Sequence, residues 1–312
     1  MSTRRQQGLP PTDPPASSEQ AASPPANPPA SPGPRAVPAI PTLYDGLVDD
    51  AAVFPPGSAA LPDAVIAHRR HRDSWYAELV GPLLIPASAL TALPGLLGDD
   101  ERIEVGVIAD VPLARLAALC GGTDPRIRIR QIEAAVAKRG EDPVPGLREL
   151  LAQAEPGLDL HAEIPLTWGV TEALDLLAEA RRDGIRATAK FRTGGLAAEL
   201  YPTPVDLAGL IVACRERAVP FKLTAGLHRA VRHTDPETGF VHHGFLNVLT
   251  ACLAAAAGEP LPSVTERLAG TDAVLLIEGT RPHRRQERPL WTSFGTCDLA
   301  NPIADLRAVG LL

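Results

Sequence analysis

The chain has 312 residues, 45% of them hydrophobic, with 37 acidic against 30 basic side chains and a formal net charge of -7 at pH 7. That length and apolar content suffice for a large core, while scattered Lys and Arg on an acidic chain exclude the basic stripe of a nucleic-acid binder. The four cysteines, Cys120, Cys214, Cys252 and Cys297, form no CxxC pair, which argues against a disulfide framework or a structural zinc site and for a reducing cytoplasm. No apolar run approaches the ~20 residues of a membrane span, and no apolar stretch follows Arg4-Arg5 to make an export signal.

Residues 1–41 read as a disordered leader. Twelve of the 33 prolines fall between Pro10 and Pro41, and no aromatic residue precedes Tyr44. Such a segment buries too little apolar surface to offset its ordering entropy. Residues 42–312 alternate short β-type runs with helical stretches. The first strand is predicted at Leu47–Phe54, closed by Pro55-Pro56-Gly57, with a helix over Pro62–Leu79. The second is Leu83–Pro86 with a helix over Ser88–Leu97. The third is Ile103–Ala109 with Pro112–Leu119. The fourth is Arg126–Ile132, where Arg and Ile alternate, with Pro145–Ala154. The fifth is Leu158–Ile164 with Thr171–Arg182, and the sixth Ile185–Thr193 with Pro204–Arg217. The seventh is Pro220–Ala225 with Gly244–Ala257. After an irregular stretch, in which Ala273–Ile277 reads as an extra strand or a buried insertion, the eighth is Trp291–Gly295, with a last helix from Pro302. Eight such units imply a parallel sheet closed into an α/β (β/α)8 TIM-type barrel. No GxGxxG follows any strand, which weighs against a dinucleotide fold.

In a barrel the functional groups sit at the C-terminal ends of the strands. The fifth strand carries His161 and Glu163, the sixth Lys190 and Arg192, and the seventh Lys222 and Thr224. Each pair is spaced by two and shares a face. Pointing inward, these faces gather Glu163, Lys190, Arg192 and Lys222 around one small volume. The opposite parity turns Phe191, Phe221 and Leu223 inward and the lysines toward the helices. Two adjacent buried lysines disfavour each other's protonation, so one amine is expected neutral near pH 7 and able to attack a carbonyl.

Thr193-Gly194-Gly195 and Thr224-Ala225-Gly226 follow the two lysine strands and let a backbone approach an anionic ligand; ordinary turns explain them as well. His228 comes next and is the general acid/base candidate. Cys297 ends the eighth strand. It reads as a substrate contact, as a nucleophile if a neighbouring cation lowers its pKa, or as a packed thiol. Asp49 or Asp50 either reaches the site or caps a turn. The spacing of His233, His242 and His243 suits no metal, and none is expected.

Residues 43–312 resemble a family of bacterial barrel proteins to which no activity is assigned. The stretches that carry the likeness are Tyr44–Pro56, Lys190–Gly195, Pro220–His228, His243–Val248 and Ser293–Cys297. More narrowly, Lys190-Phe191-Arg192-Thr193-Gly194 and Phe221-Lys222-Leu223-Thr224-Ala225-Gly226 resemble the strand-six and strand-seven motifs of deoxyribose-phosphate aldolase, a class I aldolase barrel. That resemblance implies an imine on Lys190, with Lys222 depressing its pKa. Arg192 departs from the aldolase pattern and points to an acidic substrate. The Thr224-Ala225-Gly226 sequence departs from it where the aldolase holds a phosphate on paired glycines. The expectation is a cofactor-independent lyase for a small oxo-acid or phosphorylated carbonyl compound, with Glu163 or His228 carrying the proton and self-association left open. The alternatives are an isomerase or hydrolase that uses Lys and Arg electrostatically, and a non-catalytic barrel that binds a small anion or a partner protein.

Overall fold

The structure, a computed structural model, describes residues 39–312. The segment read as a leader lies outside the described residues up to Pro38, while Ile40 is already buried against the core.

Eight parallel strands close into a barrel in chain order. They are β1 (Val48–Asp50), β2 (Val80–Pro86), β3 (Ile103–Ile108), β4 (Ile127–Ala135), β5 (Asp159–Glu163), β6 (Ala187–Arg192), β7 (Phe221–Thr224) and β8 (Trp291–Thr296), with β8 pairing back onto β1. The helices are α1 (Leu61–Arg72), α2 (Leu113–Gly121), α3 (Pro143–Leu151), α4 (Val170–Arg182), α5 (Pro204–Glu216), α6 (Phe245–Ala256), α7 (Leu261–Ala269), α8 (Ala273–Thr280) and α9 (Ala300–Ala308). No helix among the described residues is long and apolar enough to cross a membrane.

Local chemistry sets several of these boundaries. Thr203 opens α5 with a capping box: its hydroxyl accepts from the Asp206 N–H, and the Asp206 carboxylate accepts from the Thr203 N–H, with Pro204 in the first turn. Asp142 caps α3 by accepting from Val144 N at 3.0 Å. The buried stripe Ala173, Leu174, Leu177 and Ala180 lays α4 on the sheet.

Several elements differ from the sequence expectation: β1 spans Val48–Asp50 rather than Leu47–Phe54, and α7 fills Leu261–Ala269 in the stretch expected to be irregular. The first helix stops at Arg72 and is followed by a separate 3-10 turn at Ala77–Leu79. The stretch Ser88–Leu97 is not an α-helix but two 3-10 turns, Ala87–Ala89 and Leu93–Leu96. Pro94 lacks the N–H that a continuing helix needs, and Gly95 has poor helix propensity. Residues 273–277 lie in α8, neither a strand nor buried throughout, since Val274 and Leu275 are 63% and 64% exposed.

The strand faces are settled by packing. Phe294 stacks on Phe245 of α6 at 5.7 Å, and Phe191, Phe221 and Leu223 are fully buried. These side chains form the layer between sheet and helices. By alternation, Lys190, Lys222 and Ser293 face the lumen.

Candidate active site

TIM-barrel interiors are ordinarily filled by layers of branched apolar side chains. Here the middle of the lumen is ionic. Glu133 of β4 is its hub: Oε1 accepts from Lys222 Nζ at 2.6 Å and from Gln131 Nε2 at 2.7 Å, and Oε2 pairs with Lys190 Nζ at 2.7 Å. Lys190 also pairs with Glu163 Oε2 at 2.8 Å, and Glu163 Oε1 faces Arg192 Nε at 3.3 Å. On the other side, Lys222 donates to Asp49 Oδ2. The same oxygen accepts from Gln131 Nε2 at 3.1 Å and Ser293 Oγ at 3.0 Å. The carboxylates Asp49, Glu133 and Glu163 thus face the cations Lys190, Lys222 and Arg192.

Exposure grades along this chain of charges. The Lys222 and Glu133 side chains are sealed, Lys190 is 5% exposed, Glu163 21% and Arg192 47%. Access to Lys190 therefore runs past Glu163 and Arg192, from the C-terminal mouth. Buried ion pairs add little net stability relative to apolar packing. A charged cluster where apolar layers are the rule is thus a functional-site candidate.

The protonation states follow from the geometry. Burial alone lowers the Lys190 amine, but the Glu133 and Glu163 carboxylates outweigh it and raise the amine above the ordinary lysine value. Burial alone raises the Glu133 carboxyl, and Lys190 and Lys222 outweigh it and hold it far below the usual range. Glu163 is lowered likewise: burial opposes, and Lys190 and Arg192 prevail. The expectation that two lysines would leave one amine neutral is therefore corrected for Lys190, because the lysines are separated by carboxylates. His161, register partner of Glu133, is buried, and burial keeps it neutral with its pKa lowered to about 3.

The other predicted residues take different places. Thr193 is fully buried, and its hydroxyl donates to Ala225 O at 2.7 Å. A Cβ on Gly194 would lie 2.9 Å from Gly226 Cα, and one on Gly226 would lie 2.8 Å from Thr193 O. The two turns thus pack backbone on backbone, which gives Gly194 and Gly226 a packing reason to be glycine. Gly226 also has φ +80°. Gly226→Ala is therefore expected to cost ~1–3 kcal/mol in unfolding free energy, read from the shift in the midpoint of chemical unfolding. Gly195 lies under Leu200, whose Cδ1 would be 2.3 Å from an added Cβ. Thr224 faces the lumen beside Gly295.

His228 is mostly buried, which lowers its pKa, and His242 lowers it further; its Nδ1 lies 3.3 Å from Thr296 Oγ1. No hydrogen bond or ion pair joins it to either lysine among the described residues. Burial raises the Cys297 thiol, the Gly57 N–H opposes, and Asp298 adds to the rise. An activated thiolate is therefore not supported at Cys297. Asp50 points outward to His68 of α1 at 3.0 Å, and Asp49 alone reaches the cluster.

A cavity of about 440 Å³ opens at the C-terminal ends of β4, β5 and β6. Ile164, Leu166, Leu196 and Leu200 give it apolar walls, and Glu163, Arg192 and Arg139 supply charge. Leu196 stands 99% exposed at its edge.

No protein-family model matches the chain, and no curated protein matches it. The closed parallel barrel is what is shown, and the reading of the site rests on its own geometry.

Proposed function

We propose that this barrel is a carbon–carbon lyase that works through an imine on Lys190. The observation that carries the reading is the amine's position: almost buried, held between two carboxylates, one step below a mouth holding Arg192. The resemblance of the two lysine motifs to deoxyribose-phosphate aldolase supports the same reading.

Of the two substrate classes expected, the wall chemistry favours an oxo-acid with an apolar tail over a sugar phosphate. The walls beside Arg192 are leucine and isoleucine. A substrate carboxylate on Arg192 would displace Glu163 Oε1 and free that carboxylate as a base. The Lys190 ammonium then gives its proton to hydroxide entering from the mouth, because the depressed Glu133 and Glu163 carboxylates are weaker bases than the amine. The amine nitrogen adds to the substrate carbonyl carbon, and one of its two protons passes to the carbonyl oxygen, giving a neutral carbinolamine. A second protonation expels that oxygen as water and leaves the iminium. The scissile carbon–carbon bond breaks with its electron pair drawn toward the iminium nitrogen, and the carboxylates return the protons.

Borohydride trapping tests this, with 2-oxo acids of increasing tail length, sugar phosphates and simple aldehydes. The expected outcome is a reduced adduct on Lys190, strongest with apolar oxo-acids, rising in yield toward alkaline pH and absent in Lys190→Ala. The raised proton affinity of Lys190 favours a second reading, in which the ammonium stays charged and acts electrostatically in an isomerase or hydrolase. Turnover of a substrate with no trapped adduct would select it.

A further inference from the structure

The N-terminal mouth of the barrel is open. A cavity of about 1090 Å³ is framed by the first residues of the strands, among them Gly46 before β1, Val80 and Gly81 of β2, Ile103 of β3 and Pro220 before β7. Its inner end is formed by Asp49, Gln131, His161, Thr188 and Ser293, the layer beneath Lys222 and Glu133. We propose that this mouth is a second small-molecule site, separate from the C-terminal one, and that it takes a compound bearing a protonated amine, seated on Asp49 Oδ1.

Three observations carry the proposal. The first is the asymmetry of Asp49. Its three donors, Lys222, Gln131 and Ser293, all converge on Oδ2, and no described residue donates to Oδ1. The free oxygen lies against Gly81, where a Cβ would come within 2.0 Å of it. The Asp49 carboxylate itself stands where that Cβ would go, so a larger residue there would displace it.

The second is unspent hydrogen-bonding capacity. His161 is 4% exposed, its Nδ1 is buried without a partner, and no described residue bonds either ring nitrogen. Thr188, its register neighbour on β6, is 5% exposed and makes no hydrogen bond through its hydroxyl among the described residues. Leaving such groups unpaired is costly in a dry interior.

The third is the sign of the charge. The guanidiniums nearest the strand ends are engaged: Arg186 on Asp159 at 2.6 Å, Arg130 on Glu104 at 3.5 Å and Arg181 on Ala187 O at 2.9 Å. Arg102 is exposed at the rim. His161 is neutral and adds no positive charge. The free charged acceptor at the inner end is a carboxylate oxygen, which a multi-donor cation satisfies and an anion does not. The proposal is independent of the imine reading.

Calorimetric titration of the full-length protein tests it with three probes, methylamine, ethanolamine and putrescine, as hydrochlorides at matched ionic strength. Butane-1,4-diol and succinate serve as neutral and anionic counterparts. The expected result is saturable binding of at least one amine, at least tenfold tighter than the diol and with no succinate binding. Thr188→Val should weaken that amine ~2- to 10-fold, the effect of one hydrogen bond. Gly81→Ala should abolish its binding, and Arg192→Ala should leave it unchanged. Equal or tighter binding of the diol or succinate overturns the proposal. So does the absence of saturable binding by all three amines, or binding that Arg192→Ala removes and Thr188→Val does not. Thr188→Val conserves shape, so the test survives if Gly81→Ala fails to fold.

Discussion

Methionine in place of Lys222 is expected to destabilise the barrel by ~3–5 kcal/mol, the cost of leaving one member of a buried ion pair without its partner. Lys222 is sealed from solvent and is, among the described residues, the one cation that pairs with Asp49. Glu133 keeps Lys190 when Lys222 is lost, whereas Asp49 keeps only the neutral donors Gln131 and Ser293. The stranded charge is thus at Asp49, and neutralising it should restore stability. Lys222→Met with Asp49→Asn is therefore expected to be more stable than Lys222→Met alone, measured as unfolding midpoints in denaturant. A single variant within ~1 kcal/mol of wild type would mean that water from the N-terminal mouth already solvates Asp49. A double variant no better than the single would place the cost in packing rather than in charge.

Much of the fold was legible in the sequence because the alternation of elements is strong where each strand is covered by a helix. The segments β5–α4, β6–α5 and β7 fall within a few residues of their predicted positions. Legibility failed where the covering element is not a regular helix. Between β2 and β3, Pro94 and Gly95 break a stretch whose leucines read as a helical stripe. Before β8, short apolar runs do not distinguish a strand from a helix, and α8 leaves two of its apolar residues exposed.

The site was legible where strands alternate without interruption and obscure where they bulge. Lys190, Lys222, Glu163 and Arg192 follow simple period two, and they share one ionic cluster, which Lys222 joins through Glu133. Glu133, the hub, does not stand out. The Arg/Ile alternation of β4 assigns Arg128 and Glu133 to opposite faces, yet the register jumps from Ile129 to Gln131 opposite Val105 and Gly106. That bulge at Arg130 reverses the face taken by the residues after it, so Gln131 and Glu133 turn into the lumen. The available signal was a Gln and a Glu spaced by two just after the Arg/Ile alternation. Asp49 was ambiguous beside Asp50 for a different reason: the choice depends on His68 of α1 waiting outside the barrel for Asp50, a contact 18 residues away.

The same cluster predicts a stability that falls early and then steeply on acidification. His161 is held neutral in the folded chain with a pKa of about 3, against an ordinary value of 6.5. Between those values the unfolded chain binds the proton and the folded chain does not, so stability declines as pH falls, by ~1.4 kcal/mol per unit for this one group. His243, buried and lowered to about 4, adds to the slope in the same direction. Below pH 4.5 the Glu133 and Glu163 carboxyls join, since both are depressed in the folded chain and their stabilisation is lost as pH falls toward their folded values. Lys190 acts at the opposite end: its raised pKa contributes stability that is complete below the ordinary lysine value and lost as pH rises through the folded one. Unfolding midpoints measured from pH 8 to pH 4 should therefore drop first below pH 6.5 and faster below pH 4.5. His161→Gln should make the decline shallower over the whole range by up to ~1.4 kcal/mol per pH unit, while keeping the steepening below pH 4.5 that the carboxyls add. A wild-type profile that is flat down to pH 5 would mean that His161 accepts its proton in the folded barrel, with the open N-terminal mouth as the route by which water reaches it.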